Sequence, residues 1–188
     1  MIAHETIRAR RCVSSGVRFV GWSPRRIKLE ERVSDIETLR RVLSTSRTIA
    51  VVGLSADWFR PSFFAAKYML DHGYRIIPVN PKYDEILGQR CHASLDSIDE
   101  PVDIVDVFQR TDRVLPFAQQ AVAIGARCLW QQLGVDNQQA SELVRSKGLD
   151  SVVDRCVKIE HARLFGGLNW VGVDTRIISA KRPRPWVR

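Results

Sequence analysis

A loop between two regular segments of the chain carries residues suited to holding a phosphate group. An apolar run rich in β-branched residues, typical of a strand buried on both faces, ends at Gly53, Leu54 and Ser55. Arg60 and Ser62 then flank a proline, which is favoured in the first turn of a helix. The free N–H groups and the positive dipole of a helix N-terminus attract anions. The spacing predicts a strand–loop–helix unit for a phosphate-bearing ligand, in which a side chain at Gly53 would block the ligand and leave the fold largely intact.

Three further strand ends supply the other candidate binding residues. In a doubly wound sheet, ligands bind at the carboxyl ends of the strands. The candidates there include no carboxylate and no histidine, which are common general acids and bases. The set therefore favours a ligand-binding protein with no catalytic residue, although the question of enzymatic activity stays open. These candidates are Asn80, Pro81, Lys82, Phe108, Arg110, Trp130 and Gln131.

The end of the second predicted strand bears on the type of nucleotide. The loop after Gly53 lacks the second and third glycines of a dinucleotide-binding fingerprint. An NAD site also needs an acidic residue for the ribose hydroxyls, whereas this chain has Asn80 followed two residues later by Lys82. An amide and a cation tolerate a phosphorylated ribose, as in NADP or coenzyme A (CoA). The residues disfavour NAD and leave an NADP-dependent oxidoreductase, or another nucleotide-binding regulatory protein, as alternatives to a CoA-binding protein.

An alternation of strands and helices must position these residues. Strands that alternate with helices at this spacing form a parallel sheet covered on both faces. The predicted fold class is α/β, with a Rossmann-like, doubly wound, mostly parallel five-stranded sheet and flanking helices. A loop is predicted from Pro81 to Leu95. The predicted strands are 48–52, 75–79, 102–108, 127–130 and 151–153, and the predicted helices are 35–43, 61–72, 110–124 and 137–147.

The positive charge of the chain is concentrated near its two ends. The 188 residues carry a formal net charge of +8. Residues 1–34 carry +5 and residues 176–188 carry +5, which leaves −2 on the stretch between them. A nucleic-acid-binding domain carries its basic patch on the fold itself, so nucleic acid is disfavoured as a partner. We predict a flexible basic extension over 1–34, a folded domain over 35–164 and a basic C-terminal tail over 165–188.

The composition bears on compartment, metal binding and partners. No apolar run reaches the roughly 18 residues that a membrane-spanning helix needs, so no membrane association is predicted. The four cysteines form no CxxC pair, which is typical of reduced thiols in a cytoplasmic protein. The pairs Cys91–His92 and Cys156–His161 lack metal-ligand spacing, so no metal site is predicted. A homo-oligomer or an unidentified protein partner stays open.

Segments spread over more than half of the chain point to one protein family. They are residues 51–55 (VVGLS), 60–62 (RPS), 73–81 (GYRIIPVNP), 85–88 (EILG), 101–108 (PVDIVDVF), 131–134 (QQLG) and 154–160 (DRCVKIE). With these segments, the chain resembles the small stand-alone CoA-binding proteins from about residue 48 to residue 163. Their domain is similar to the CoA-binding domain of the succinyl-CoA synthetase α subunit. The combination is specific, although each segment alone is a weak signal.

The resemblance implies that residues 35–164 are a Rossmann-like domain that binds CoA or an acyl-CoA without evident catalysis. Ligase activity is not implied, because the phosphohistidine and the ATP-grasp partner of the synthetases have no counterpart in this chain. The chain departs from the family pattern at Val157, where the family has a proline after the cysteine. The resemblance implies pyrophosphate contacts at residues 53–62, adenosine contacts near Asn80, Pro81 and Phe108, and a pantetheine arm directed toward Trp130 and Gln131.

Overall fold

The computed structural model describes residues 36–166, in which helices alternate with strands. The helices are α1 (Ile36–Thr45), α2 (Pro61–Asp71), α3 (Val114–Ala123), α4 (Gln138–Ser146) and α5 (Val157–Phe165). The strands are β1 (Thr48–Val52), β2 (Arg75–Val79), β3 (Glu85–Ile86), β4 (Gln89–Arg90), β5 (Ile104–Val107), β6 (Cys128–Gln131) and β7 (Asp150–Val152).

Five of these strands form one parallel sheet. Its strand order is β2-β1-β5-β6-β7, and each neighbouring pair runs parallel. The chain passes from β1 to β2 on one side and returns to β5 on the other, so the winding direction reverses at β1. This reversal is the topological switch point at which doubly wound sheets bind their ligands. Strands β3 and β4 form a separate antiparallel hairpin that packs beside β2.

Helices cover both faces of the sheet because its strands are apolar on both sides. Every residue of β5 and β6 is buried, as expected for strands in the middle of a parallel sheet. Helices α1, α2 and α5 pack on one face, in a core that contains Leu39, Met69 and Trp130. Helices α3 and α4 pack on the other face, where Val114 and Val144 are fully buried. The two helical layers hold the carboxyl ends of the strands at one edge of the molecule.

The predicted fold class is confirmed, and the sheet is entirely parallel. The bounds of β1 and β2 agree with the predicted strands. The helix predicted from residue 110 begins only at Val114, after a 3₁₀ turn at Thr111–Arg113. Helix α5 was not predicted, and the β3–β4 hairpin lies where a loop was predicted.

Parts of the predicted domain organisation lie beyond the residues that the structure describes. The basic extension 1–34 and positions 167–188 of the predicted tail are outside them. Between residues 36 and 166, no helix has the length and apolar character needed to cross a membrane.

Candidate ligand-binding site

The loop after β1 turns sharply at Gly53. This residue has φ = 80°, a left-handed conformation, and its N–H donates to the carbonyl oxygen of Val79 at 2.9 Å. A Cβ atom on Gly53 would lie 2.7 Å from the carbonyl oxygen of Phe108 and 2.8 Å from Nε2 of Gln109. The expectation that a side chain here would leave the fold largely intact is therefore wrong, because the backbone itself needs a glycine.

Asn80, directly after β2, holds the same loop in shape. Its Nδ2 donates to the carbonyl oxygen of Leu54 at 2.8 Å, and its Oδ1 accepts from the N–H of Lys82 at 3.0 Å. Leu54 is fully buried beneath the loop. Both ends of the Asn80 amide thus bind backbone groups. An aspartate would lose the donor and set a carboxylate against the Leu54 carbonyl, so the amide at Asn80 has a structural role.

The start of α2 faces this loop. The Oγ of Ser62, which is buried, accepts from the N–H of Ser55 at 3.2 Å. Arg60 precedes the helix, and its Nε lies 3.6 Å from Oδ2 of Asp57, with both side chains largely exposed. An exposed ion pair of this kind contributes little to stability. Arg60 can therefore exchange Asp57 for an anionic ligand at small cost.

Two cavities flank the loop at the carboxyl ends of the strands. The first, which we call the β2-side cavity, has a volume of about 500 Å³, and the second, the β6-side cavity, about 600 Å³. Gln109, which follows β5, lines both cavities. The lining of the β2-side cavity includes Gly53, Asn80, Pro81, Gln109, Arg113 and Phe117. The lining of the β6-side cavity includes Ser62, Phe108, Gln109, Arg110, Gln132 and Cys156.

The structure brings half of the predicted binding residues to these cavities. Phe108 lines the β6-side cavity, whereas Asn80 and Pro81 line the β2-side cavity. The sequence prediction grouped all three as adenosine contacts, and the structure separates Phe108 from the other two. The loop residues Ser55 and Arg60 line neither cavity, and the same is true of Lys82. The predicted residues that do line a cavity are Gly53, Asn80 and Pro81 on the β2 side and Ser62, Phe108 and Arg110 on the β6 side.

Trp130 and Gln131 lie in the core instead of in the cavities. Neither side chain is exposed to solvent. The Nε1 of Trp130 donates to the carbonyl oxygen of Arg155 at 2.7 Å. The Nε2 of Gln131 donates to Oγ of Ser141 at 2.9 Å, and its Oε1 accepts from the N–H of Asn137 at 2.7 Å. These hydrogen bonds connect β6 to α4 and to the segment before α5. Because the polar atoms of both side chains are used inside the core, the structure does not bring these two predicted residues to the site.

Several cavity residues were not among the predicted binding residues, and Gln109, Gln132, Arg113 and Cys156 are four of them. Gln109 and Gln132 each follow the end of a strand, which is the one signal that could have selected them. Arg113 lies at the start of α3, and Cys156 lies directly before α5. Their place at the cavities depends on how β5 and β6 are aligned, because residues distant in sequence become neighbours there.

Comparison with known protein families settles the assignment of this chain. Residues 47–162 match the CoA binding domain family. The chain belongs to this family. The matched segment contains all five strands of the parallel sheet and every residue named above as lining a cavity.

Relatives of this CoA-binding-domain protein either consist almost entirely of the matched segment or match it over a small part of a larger chain. The uncharacterized protein YneT of Bacillus subtilis is 41% identical over 124 residues, which are 66% of this chain and 92% of YneT. An ADP-forming acetate–CoA ligase of Methanocaldococcus jannaschii is 30% identical over 64 residues, which are 34% of this chain and 9% of the ligase. A solved structure from Thermus thermophilus has a TM-score of 0.67 and 35% identity, covering 70% of this chain and 99% of that one.

A buried carboxyl group lies beneath the β6-side cavity of this CoA-binding-domain protein. Asp106, on β5, is 1% exposed, and its Oδ1 accepts from Nε2 of Gln132 at 2.7 Å. Burial raises the pKa of Asp106 to about 7. Burial also raises the pKa of the Cys156 thiol, so this cysteine is a neutral thiol at neutral pH. Among residues 36–166, no group of three or more His, Cys, Asp and Glu side chains is placed to hold a metal ion.

Proposed function

We propose that this protein reversibly binds CoA or an acyl-CoA and carries out no chemistry on it. One observation carries the proposal: two cavities lie on either side of a glycine loop that also meets a helix N-terminus. CoA is an elongated molecule with a nucleotide at one end, a pyrophosphate in the middle and a pantetheine arm at the other end. Two cavities separated by an anion-binding loop suit that order of groups.

The character of the two cavities supports one orientation of the ligand. The β2-side cavity has a cation at Arg113 and flat, apolar surface at Pro81 and Phe117, which suits a phosphorylated adenosine. The β6-side cavity is lined in part by Phe108 and Leu133, which suits the apolar stretches of a pantetheine arm. In this orientation the pyrophosphate lies over the loop, within reach of the exposed Arg60 guanidinium.

The chemistry of the cavity side chains supports binding without catalysis. The Cys156 thiol is held neutral by burial and is a poor nucleophile in that form. Asp112, at the rim of the β2-side cavity, is exposed and its Oδ1 lies 3.1 Å from Nε of Arg110. An exposed, ion-paired carboxylate is not prepared to act as a general base near neutral pH.

A calorimetric titration with CoA, NADP and NAD side by side tests this function. We expect binding of CoA, and weaker or no binding of NADP and NAD. NADP binding with hydride transfer, and no CoA binding, would replace the proposal by the NADP-dependent oxidoreductase. Acetyl-CoA in a fourth titration shows whether the acylated form binds as well.

Arg113 is expected to recognise the 3′-phosphate of the ribose. Replacing Arg113 with alanine should weaken CoA about fivefold to tenfold, because a charge-assisted hydrogen bond to the phosphate is lost. Dephospho-CoA lacks this phosphate and should lose almost nothing. Arg145→Ala, on the exposed end of α4, is the matched control. Equal losses for both ligands would show that Arg113 does not contact the 3′-phosphate.

Arg60 is expected to contact the pyrophosphate. Arg60→Ala should cost about 1.5 kcal/mol of CoA affinity, at the low end for a hydrogen bond to a charged group because the side chain is exposed. Both CoA and dephospho-CoA should be affected equally, since both carry the pyrophosphate. Lys67→Ala, which removes an exposed cation within α2, is the control and should leave the affinity unchanged. Unchanged affinity in Arg60→Ala would remove this residue from the site.

A further inference from the structure

Gln132 lines the β6-side cavity, and the oxygen of its carboxamide accepts no hydrogen bond from the described residues. Its Nε2 donates to Oδ1 of Asp106 at 2.7 Å. Among the described residues, no group donates to its Oε1. Gln132 is 4% exposed and lines the cavity, and no buried side-chain oxygen or nitrogen among the described residues lacks a partner, so Oε1 must be accessible from the cavity. An acceptor that is accessible from a cavity and is bound by no protein group is available to a ligand that donates a hydrogen bond.

Asp106 fixes the direction of this carboxamide. It lies on β5 opposite Val51 of β1 and Trp130 of β6, with both neighbours in register. The hydrogen bond from Gln132 is the one side-chain hydrogen bond that Asp106 receives within the described residues. An ionised Asp106 can only accept, so it holds Nε2 toward itself and turns Oε1 away.

We propose that Gln132, oriented by Asp106, is a recognition element of the β6-side cavity that accepts a hydrogen bond from an amide N–H of the pantetheine arm. The inference rests on the proposed function, because it takes CoA as the ligand. The good neutral donors of that arm are its secondary amides and its hydroxyl, whereas a thiol is a weak donor. A hydroxyl also accepts and can therefore bind either atom of the carboxamide, whereas an amide N–H binds the oxygen alone. Asp106 is a positioning residue in this arrangement, since it acts on the ligand only through Gln132.

The charge of Asp106 controls which atom of Gln132 is presented to the ligand. A protonated Asp106 can donate its own O–H to Oε1, and the carboxamide then turns Nε2 toward the cavity. Binding of an N–H donor favours the ionised form, so the affinity for CoA should rise as the pH rises through 7.

Other ionisable groups lie near Asp106 or on the helix that packs on this face of the sheet. The thiols of Cys128 on β6 and Cys156 before α5 interact with Asp106, and burial raises the pKa of each, so both are neutral at pH 7. On α5, which packs on the same face of the sheet, the buried Glu160 is ion-paired with Arg155 and Arg163.

The first test replaces Gln132 with methionine, which keeps the length of the side chain and removes both polar groups. We expect the affinity for CoA to fall about fivefold, and the affinity for acetyl-CoA to fall by the same factor because it has the same amides. Adenosine 3′,5′-bisphosphate, which lacks the pantetheine arm, should bind the variant as it binds the wild-type protein. This ligand also reports that the variant is folded.

The second test uses Asp106. Asp106→Leu should lower the affinity for CoA about as much as Gln132→Met, because the carboxamide is no longer held. Asp106→Asn keeps an acceptor oxygen and should recover most of that loss, but without the rise in affinity between pH 6 and pH 8. The 3′-phosphate of CoA titrates in the same pH range, but its contribution is common to both proteins and cancels when the pH series of Asp106→Asn is compared with that of the wild-type protein.

The outcomes separate this inference from the proposed function. If the wild-type protein does not bind CoA, the proposed function fails. If it binds CoA and Gln132→Met binds equally well, the role of Gln132 is wrong. A loss for CoA but not for acetyl-CoA would make the thiol the donor and overturn the assignment to the amide. The same pH dependence in the wild-type protein and in Asp106→Asn would overturn the positioning role of Asp106.

Discussion

Replacing Gly53 with valine is expected to cost the protein both folding stability and CoA affinity. The residue has φ = 80°, which a β-branched side chain adopts only under strain. Its Cβ would also lie 2.7 Å from a backbone oxygen of Phe108, which cannot move without displacing the end of β5. We expect a loss of about 3 kcal/mol or more in the free energy of unfolding. Because Gln109 follows Phe108 and lines both cavities, we expect CoA affinity to fall more than a hundredfold.

Gly125→Val is the matched control for this prediction. Gly125 has φ = 69°, so the substitution carries a similar backbone strain, but a Cβ there meets no atom within 4 Å. Urea unfolding of both variants therefore isolates the cost of the contact with Phe108. Gly125→Val should bind CoA with the wild-type affinity. Equal unfolding free energies for the two variants, or CoA binding retained in Gly53→Val, would contradict the tight approach of the loop to β5.

Asp106→Asn is expected to stabilise the protein, and the gain should grow with pH. The folded-state pKa of Asp106 is about 7, whereas the usual value is 3.8. Between these two pH values the unfolded chain releases the proton and the folded protein keeps it, so wild-type stability falls as the pH rises. Above pH 7 both states are ionised and the loss is complete. Asparagine carries no charge and avoids the loss, which amounts to about 4 kcal/mol at most.

Unfolding free energies measured in urea at several pH values between 4 and 8 test this prediction. The quantity of interest is the difference between Asp106→Asn and the wild-type protein, because contributions from other titrating groups cancel in it. Asp99→Asn, which removes a carboxylate from the exposed surface, is the control. A difference that stays constant between pH 4 and pH 8 would show that Asp106 is ionised in the folded protein throughout this range.

The sheet could be predicted from the sequence because its strands carry an unambiguous signal. Ile49–Val52 and Ile104–Val107 are continuous runs dominated by β-branched residues, and such runs are typical of strands covered on both faces. Helix α5 lacked the corresponding helical signal. Its buried face includes Glu160 and His161, so the apolar residues alone do not follow a helical period. The β3–β4 hairpin has two residues in each strand, which is too short for any periodicity.

The site was predicted only in part, because strand alternation and strand register decide which side chains reach the cavities and which are buried in the core. Trp130 and Gln131 end β6, but both are buried by the helical layers that cover the two faces of the sheet. Gln132, one residue beyond the strand, reaches the cavity and Asp106. The alternation of side chains along β6 places Gln132 on the same face as Trp130, whose register partner is Asp106. That register pairs β5 with β6 and is not contained in any local motif.

Gln109 lines both cavities and marks the boundary between them. A ligand that spans both cavities is held at two points, and once one half is bound the other half is present at a high effective concentration. Two small molecules, each fitted to one cavity, could occupy the protein together and be joined by a short linker that crosses Gln109. Such a joined molecule would bind much more tightly than either half, in the way that a chelating ligand outbinds two separate ones.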